Sequence, residues 1–498
     1  EAGYQTITVG KLGIRDQRFS RQNRGDGPRL YEMDLGYRKE FFAGGLVDWY
    51  QSAKWVKGKP GPRTEIFLFP DGSQLVWPES PDATPNDADA LRQRLDIFRY
   101  YPPPGQKSNR PASLGEVLGG VNPQPPDRTR DASFVRALLE YLDHAGRSYT
   151  DLLGRSQQGP DPERPVFIHV GFEFPHTPVL PPASFRERFA DKHYEIPVFT
   201  REEFAGFPPQ IVKFFNNWGS DHFTAAEKQQ MVRDYYAYCA YGDSLIGRLV
   251  DGFLHFAEKT KRPWLILYVC GDNGWKLNDH GMISKFCHYD EDLNNPIIVA
   301  SSDQKRFPPG KVVTDLVGFV DIAPTFLAAA GIDISDPRYQ YLDGRDLAQV
   351  AAGIVRPRDY IIAEPTWVIG PRAVIRTREF TFAMRIRPRL SNEVTPQTVG
   401  KDIRWAVDAP LEAVEPVLFD LRVDPRQRKN LAFEPAYRPV VDTLRKKLQD
   451  IVLGDRRVEV AWGAAPPKPV AVSTFAPGAD DGILVLEHVP PVSGAEAR

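Results

Sequence analysis

The chain has 498 residues, and its 63 lysines and arginines nearly balance its 65 aspartates and glutamates, for a formal charge of −2. That balance excludes a nucleic-acid binder working through a basic surface, and 42% apolar with 11% aromatic residues excludes wholesale disorder. Three cysteines (Cys239, Cys270, Cys287), none in a CxxC pair, cannot build a disulfide framework, and no apolar run reaches the roughly 20 residues that span a bilayer.

Residues 5–10 (QTITVG) read as a short buried strand running into Lys11. Residues 66–69 and 74–77, joined by Pro70-Asp71-Gly72, read as a hairpin. The surrounding stretch, residues 45–130, is dense in Pro, Gly and Asp and reads as a loop-rich insertion. Residues 132–144 have helical spacing, with Phe134, Ala137, Leu138 and Leu142 on one face. An apolar run over 166–170 ends at Gly171 and suits a strand covered on both faces, as in a parallel sheet. The longest helix is expected over 225–258, where Tyr235, Tyr238, Cys239, Leu245, Ile246, Leu249 and Phe253 recur every three to four residues. An apolar strand over 264–269 then stops at Gly271-Asp272-Asn273-Gly274, a third buried strand covers 297–300, and a short helix over 321–330 closes at Gly331.

Strands alternating with helices make residues 1–355 an α/β domain. After about residue 355 the pattern turns to alternating, Arg-rich strands such as 373–378 and a closing helix near 436–452. That predicts a smaller C-terminal α+β subdomain over 356–455, with a small antiparallel sheet. Residues 456–498, rich in Pro, Ala and Gly, read as a tail.

In open α/β sheets, ligands gather at the carboxyl ends of the strands. Three polar clusters fall there: Gly10-Lys11, then Phe174-Pro175-His176-Thr177-Pro178, then Asp272-Asn273 with His280 and Lys285 close behind. Asp272 and Asn273 offer adjacent oxygen donors suited to a hard cation such as Ca²⁺ or Mg²⁺, although Asp-Asn-Gly is equally a turn sequence. Taken singly, His176 reads as a loop residue with a structural hydrogen bond, and Lys11 and Lys285 as solvated surface lysines. Their shared placement at strand ends is what distinguishes them.

Six ordered motifs resemble the sulfatase family of the alkaline-phosphatase-like superfamily. Ala2-Gly-Tyr-Gln-Thr…Gly10-Lys11 resembles "AGYxT…GK"; Val170-Gly-Phe…Pro175-His176-Thr-Pro178 with Pro181-Pro182 resembles "VGFxxPHxPxxPP". Tyr235-Tyr-Ala-Tyr-Cys-Ala-Tyr-Gly-Asp243…Gly247-Arg248-Leu-Val-Asp251 is similar to "YYAxVxYxDxxxGRxxD". Gly271-Asp-Asn-Gly-Trp…His280-Gly281…Lys285…Pro296 resembles "SDxGWxLxxHGxxxK…P", Val320-Asp321-Ile-Ala-Pro324-Thr325 resembles "VDLxPT", and Leu418-Phe-Asp420…Asn430-Leu-Ala432 is similar to "LYDLxxDPxExxNLA". The PHTP segment and the spacing of Asp272, His280 and Lys285 most resemble the iduronate-2-sulfatase-like and choline-sulfatase-like branch.

The resemblance implies an alkaline-phosphatase-like α/β sandwich, with a mostly parallel central sheet flanked by helices. It implies hydrolysis of an organic sulfate ester, small-molecule or carbohydrate, with no nucleic-acid partner, and suggests a periplasmic or secreted protein. Asp272 and Asn273 would ligate a divalent cation, Ca²⁺ or alternatively Mg²⁺. Lys11, His176, His280 and Lys285 would contact the ester, with Lys11, His176 and Lys285 acting in catalysis and Asp290 holding Lys285; these side chains are expected to converge on one pocket. Fixed cations and donors aimed at the leaving oxygen would lower the barrier, and His176 or Lys285 would protonate the leaving alcohol.

The sequence departs from the family pattern in two places. Lys11 is followed by Leu12-Gly13-Ile14, where the family usually places a histidine. The family's nucleophile, a formylglycine made from Cys or Ser in "CxPxR" or "SxPxR", and its Asp-Asp metal pair have no counterpart; Asp480-Asp481 precedes rather than follows its apolar run and reads as tail chemistry. The expectation is a truncated form that begins about a hundred residues into the family pattern, lacking the first strands of a doubly wound half, and inactive as given. The alternatives are a phosphonate or phosphodiester hydrolase of the same superfamily and a non-catalytic relative that binds sulfated ligands.

Overall fold

The computed structural model describes residues 2–11, 31–56, 59–78, 85–100, 116–285, 287–339, 342–365, 372–388, 405–452, 458–461, 468–471 and 480–492. The chain divides into two compact units, Glu1–Ile196 with Phe223–Pro263, and Pro197–His222 with Trp264–Arg498.

In chain order the first unit contains strands β1 (Gln5–Gly10), β2 (Met33–Asp34), β3 (Trp49–Val56), β4 (Lys59–Leu68) and β5 (Gln74–Pro78) and helices α1 (Pro85–Leu95) and α2 (Arg130–Asp143). Strand β6 (Val166–Gly171) and helix α3 (Ala225–Thr260) follow, with shorter elements between them. Strand β1 is parallel to β6 on one side and to β2 on the other. Helix α2 starts where Thr129 accepts a hydrogen bond from the Ala132 N–H at 3.2 Å, satisfying an otherwise orphaned donor. Its expected face does go inward: Phe134, Ala137, Leu138 and Leu142 join Ile7 and Val9 of β1 in one core cluster. Helix α3 opens with a reciprocal capping box, Thr224 bonding the Glu227 N–H at 3.2 Å while Glu227 bonds the Thr224 N–H at 2.8 Å. It closes at Lys261, whose backbone is left-handed.

The hairpin is β4–β5, with Leu68 opposite Gln74. Its turn is fixed by Asp71, whose carboxylate accepts from the Ser73 N–H at 2.9 Å. Within the stretch read as an insertion, the described residues form regular elements. It carries the three-stranded β3–β4–β5 sheet and α1, around a core of Trp49, Phe67, Phe69, Trp77, Leu91 and Leu95.

The second unit contains β7 (Leu265–Val269), β8 (Lys276–Leu277), β9 (Ile283–Ser284), β10 (Ile297–Ser301) and helix α4 (Ile322–Ala329). An antiparallel sheet follows, in the order β11 (Tyr360–Ala363), β12 (Arg372–Thr377), β13 (Phe380–Arg385) and β14 (Val417–Asp420), covered by helix α5 (Arg438–Val452). Helix α5 packs Val440, Val441, Leu444 and Leu448 against Ile375, Phe380 and Phe382 of that sheet. Residues 480–492 also pack here: Leu484, Leu486 and Val489 lie on this core, Tyr360 donates to Asp480 at 2.8 Å, and Lys447 pairs with Asp481 at 2.7 Å.

The cover over three strands departs from expectation. Strands β6, β7 and β10 read as buried, yet every residue of β6 and β7 is only half-buried. Strand β10 alternates between half-buried and exposed, with Ile298 57% exposed. Among the described residues β6 pairs with β1 alone, and β7 and β10 pair only with each other, antiparallel. An apolar run registers the propensity for cover, while the layers that provide it come from elsewhere in the fold.

One helix position controls how the segment after β6 lies against α3. A Cβ on Gly242 would stand 2.0 Å from the Phe174 ring, which is also packed by Phe172 and Tyr238. In Gly242→Ala the overpacking cost of about 1–3 kcal/mol is expected to exceed the roughly 1 kcal/mol that alanine adds to a helix interior. Denaturant unfolding should therefore show a net loss of stability.

Candidate functional site

The first cluster is built by the β1–β6 ladder. The register runs from Gln5 opposite Val166 to Gly10 opposite Gly171, so Lys11 and the segment after Gly171 leave the sheet from the same carboxyl end. The two backbones meet closely there, and the Lys11 N–H donates to the Gly171 carbonyl at 2.7 Å. Gly10 has φ +81°, and a Cβ on it would lie 2.2 Å from the Gly171 carbonyl oxygen; a Cβ on Gly171 would lie 1.7 Å from that of Lys11. Glycine is therefore required on both strands for Lys11 and the next loop to leave side by side.

His176 sits half-buried in that loop. Its N–H donates to the Glu173 carbonyl at 2.8 Å, and its Nδ1 lies 2.7 Å from the Thr177 carbonyl oxygen. A carbonyl only accepts, so Nδ1 carries the proton, and Nε2 takes the acceptor role in the neutral ring. Thr177 is tied in turn to Glu116. Beneath the loop lie residues the sequence did not flag: Glu173, 2% exposed, accepts from Tyr37 Oη at 2.7 Å, and buried Asp131 accepts from the Glu173 N–H at 2.7 Å. An acid in a helix's first turn reads from sequence as a complement to the helix dipole, which concealed this role for Asp131.

The second cluster lies in the second unit. After β7 the chain turns through Asp272, exposed, and Asn273, half-buried, with Asn273 Nδ2 donating to Asp272 Oδ1 at 2.8 Å. The following β8–β9 hairpin carries His280 and leads into half-buried Lys285. The His280 ring stacks on Tyr289 with centroids 3.8 Å apart, and its Nε2 lies 3.4 Å from Glu291 Oε2. Burial pushes the Glu291 carboxyl up, but the hydrogen bond and charge of His280 more than offset this and hold it below its usual range. Burial raises Asp279, with the nearby Glu291 charge adding to it. Asp290, expected to hold Lys285, is engaged by Arg376 at 2.9 Å and by Gln427.

This hairpin is strained. Asn278, His280 and Ser284 have φ of +78°, +53° and +83°, values that non-glycine residues seldom adopt, each costing of order 1–3 kcal/mol. Such strain persists only where the surroundings enforce it. Lys276 supplies part of that enforcement: its Nζ is 2.6 Å from both carboxylate oxygens of Asp292, with both side chains fully buried. Burial raises the Asp292 carboxyl in spite of the lysine. The pair ties the hairpin to the turn at 289–294, and the Gly274 N–H donates to the Asp292 carbonyl at 2.8 Å.

The structure thus places Lys11 with His176 at one sheet end, and Asp272 and Asn273 with His280 and Lys285 along one turn-and-hairpin segment. The two groups belong to different compact units. For a cation, Asp272 and Asn273 fit in kind, since both are hard oxygen donors. They fall short in number, because Ca²⁺ takes about six to eight oxygens. Among the described residues no group of three or more His, Cys, Asp or Glu side chains gathers to hold a metal ion.

The parallel strands with helices at their flanks, the polar groups at strand ends and the separate antiparallel sheet define an α/β protein of the alkaline-phosphatase-like class. The solved structure of phosphonate monoester hydrolase from Agrobacterium radiobacter shares this fold, with a TM-score of 0.51 at 17% identity over 90% of this chain and 77% of that one. The sulfatase family's sequence model matches residues 34–332, and the chain belongs to that family. Arylsulfatase K of Mus musculus is 24% identical over 304 residues, 58% of this chain and 50% of that protein. The multifunctional alkaline phosphatase superfamily protein PehA of Trinickia caryophylli is 25% identical over 317 residues, 60% of this chain and 57% of the relative. The chain spans about half the length of the curated relatives it matches. No helix among the described residues is long and apolar enough to cross a membrane.

Removing one partner of a sealed ion pair leaves an unpaired buried charge. Lys276→Met is expected to cost about 3–5 kcal/mol in denaturant unfolding, and the double change Lys276→Met with Asp292→Leu should recover much of that loss.

Proposed function

We propose that this chain carries the anion-binding part of a sulfate-ester hydrolase acting on an organic sulfate, a sulfated sugar included. The observation that carries the reading is the exit of Lys11 and the His176 loop from one end of the β1–β6 ladder, in a chain of the sulfatase family. Lys11 supplies a fixed positive charge for the sulfate oxygens. His176, with Nδ1 committed to the Thr177 carbonyl, presents Nε2 to the ester and, when protonated, gives that proton to the leaving oxygen, a step that contributes roughly 10²–10⁴-fold. In the second unit, taken by itself, Lys285 is the proposed anion contact and proton donor, and His280, held between Tyr289 and Glu291, a further proposed ligand contact. Asp272 and Asn273 contribute two oxygens to a divalent cation, Ca²⁺ or Mg²⁺, which neutralises charge on the sulfate when bound.

No cysteine or serine of this sequence stands in a CxPxR or SxPxR pattern, so the proposal assigns the nucleophile to no residue of this sequence. A phosphorus ester is the second reading, because donors and cations at strand ends suit either anion.

Calorimetric titration of this chain with 4-nitrophenyl sulfate tests the anion contacts. Lys11→Ala and His176→Ala should each weaken binding about tenfold, the loss expected for one charge-assisted hydrogen bond; unchanged affinity in both variants rejects the reading. On a form of the protein that supplies the nucleophile, sulfate esters should turn over faster than phosphonate esters. Turnover of phosphorus esters alone would install the second reading, and binding without turnover of either would indicate a non-catalytic relative.

A further inference from the structure

Three acids and one guanidinium are sealed under the His176 loop. Asp48, Asp131 and Glu173 are each at most 2% exposed, as is Arg130. Arg130 is committed to Asp48, with Nη1 3.4 Å from both carboxylate oxygens and its backbone N–H 3.1 Å from Oδ1, while Nη2 donates to Tyr238 at 3.1 Å. Asp48 also accepts from Asn122 Nδ2 at 2.7 Å, and Glu173 accepts from Tyr37. Asp131 therefore faces Arg130 from its own helix, Glu173 from the loop and Asp48 from the segment before β3, and the Arg130 guanidinium is engaged by Asp48 and Tyr238. One Asp131 oxygen accepts from the Glu173 N–H, and the other has no hydrogen-bond partner among the described residues.

We propose that Asp131 is a positioning residue for His176, acting as a neutral, protonated carboxyl that clamps the Glu173 amide and so fixes the turn that holds the imidazole. Two successive hydrogen bonds carry the effect: Glu173 N–H to Asp131, then His176 N–H to the Glu173 carbonyl. What the clamp serves rests on the reading of His176 as a sulfate contact; the clamp itself can be tested with no ester present. A neutral acid suits the site because a carboxylate with one buried, unpartnered oxygen carries an uncompensated desolvation penalty. Consistent with this, burial pushes the Asp131 carboxyl up to about 7, against the opposing pull of Arg130.

The sign of the pH dependence follows. A carboxyl raised in the folded state binds its proton more tightly there than in the unfolded chain, so its stabilising contribution is fullest at acid pH. That contribution is lost as pH rises towards and through about 7. Asparagine reproduces the neutral acid's acceptor and shape without a titrating proton, and alanine removes the acceptor.

The experiment is amide hydrogen exchange over residues 172–178 of the whole chain, with melting curves from pH 5 to 8, for wild type, Asp131→Asn and Asp131→Ala. In the alanine variant, exchange at 173–176 should quicken about tenfold, as for a lost hydrogen bond, while asparagine keeps wild-type protection. The melting temperature of wild type relative to Asp131→Asn should fall as pH rises from 5 to 8. Should the alanine variant not fold, that wild-type-minus-asparagine slope still decides. Equal exchange in all three proteins, loss of protection with asparagine as severe as with alanine, or parallel pH slopes would each overturn the proposal. A loop loosened by alanine with unaltered affinity for 4-nitrophenyl sulfate would keep the clamp and reject the role of His176.

Discussion

Two strands whose backbones touch without intervening side chains set the geometry of the first unit. At Gly10 and Gly171 the separation leaves no room for a Cβ on either side, and the in-register ladder beneath delivers both chain exits to one edge. Everything assigned to Lys11 and His176 depends on that contact. A methyl group at either position would have to displace a carbonyl, which cannot yield as a flexible side chain can. The glycines thus act as spacers of zero thickness, and the loops they release inherit their relative position from the sheet.

Both clusters are held from behind by charges withdrawn from water, in two different ways. In the second unit the Lys276–Asp292 pair is fully matched, one cation to one anion with both carboxylate oxygens engaged. Under the His176 loop, among the described residues, Asp48, Asp131 and Glu173 share the single buried guanidinium of Arg130, and a proton makes up part of the difference. Desolvation means that neither arrangement offers more stability than a well-packed apolar core would. What each provides is a single allowed position for the backbone it grips: the turn after Asp272 in one case, the turn before His176 in the other.

Much of the fold was legible in the sequence because its signals are local. Helix α3 carries a capping box at Thr224 and Glu227 and a regular apolar stripe, and the observed helix extends only two residues beyond the expected end. Strands β1, β6 and β7 are short apolar runs ended by glycine or a polar turn, and they fall where those runs fall. Three things stayed hidden. The degree of cover over β6, β7 and β10 depends on neighbours that the runs themselves do not specify. Strand β3, which extends the expected β4–β5 hairpin into a sheet, and helix α1 were obscured by the Pro and Gly content of that stretch. The contacts of Asp131 with Glu173 and of Lys276 with Asp292 join residues 42 and 16 positions apart, and no spacing rule reports such pairings. At the candidate site, motif spacing singled out Lys11, His176, Asp272, Asn273, His280 and Lys285, while the groups that hold them in place came only from the structure.

The left-handed backbone at Asn278, His280 and Ser284 also bears on how this segment can vary. Glycine would relieve the torsional cost at all three positions, so selection for heat resistance alone should drift each of them towards it. At 278 and 284 that drift would remove only an amide or a hydroxyl, but at 280 it would erase the imidazole that stacks on Tyr289 and meets Glu291. A variant library sorted separately for thermal tolerance and for ligand retention would then diverge most sharply at this one codon.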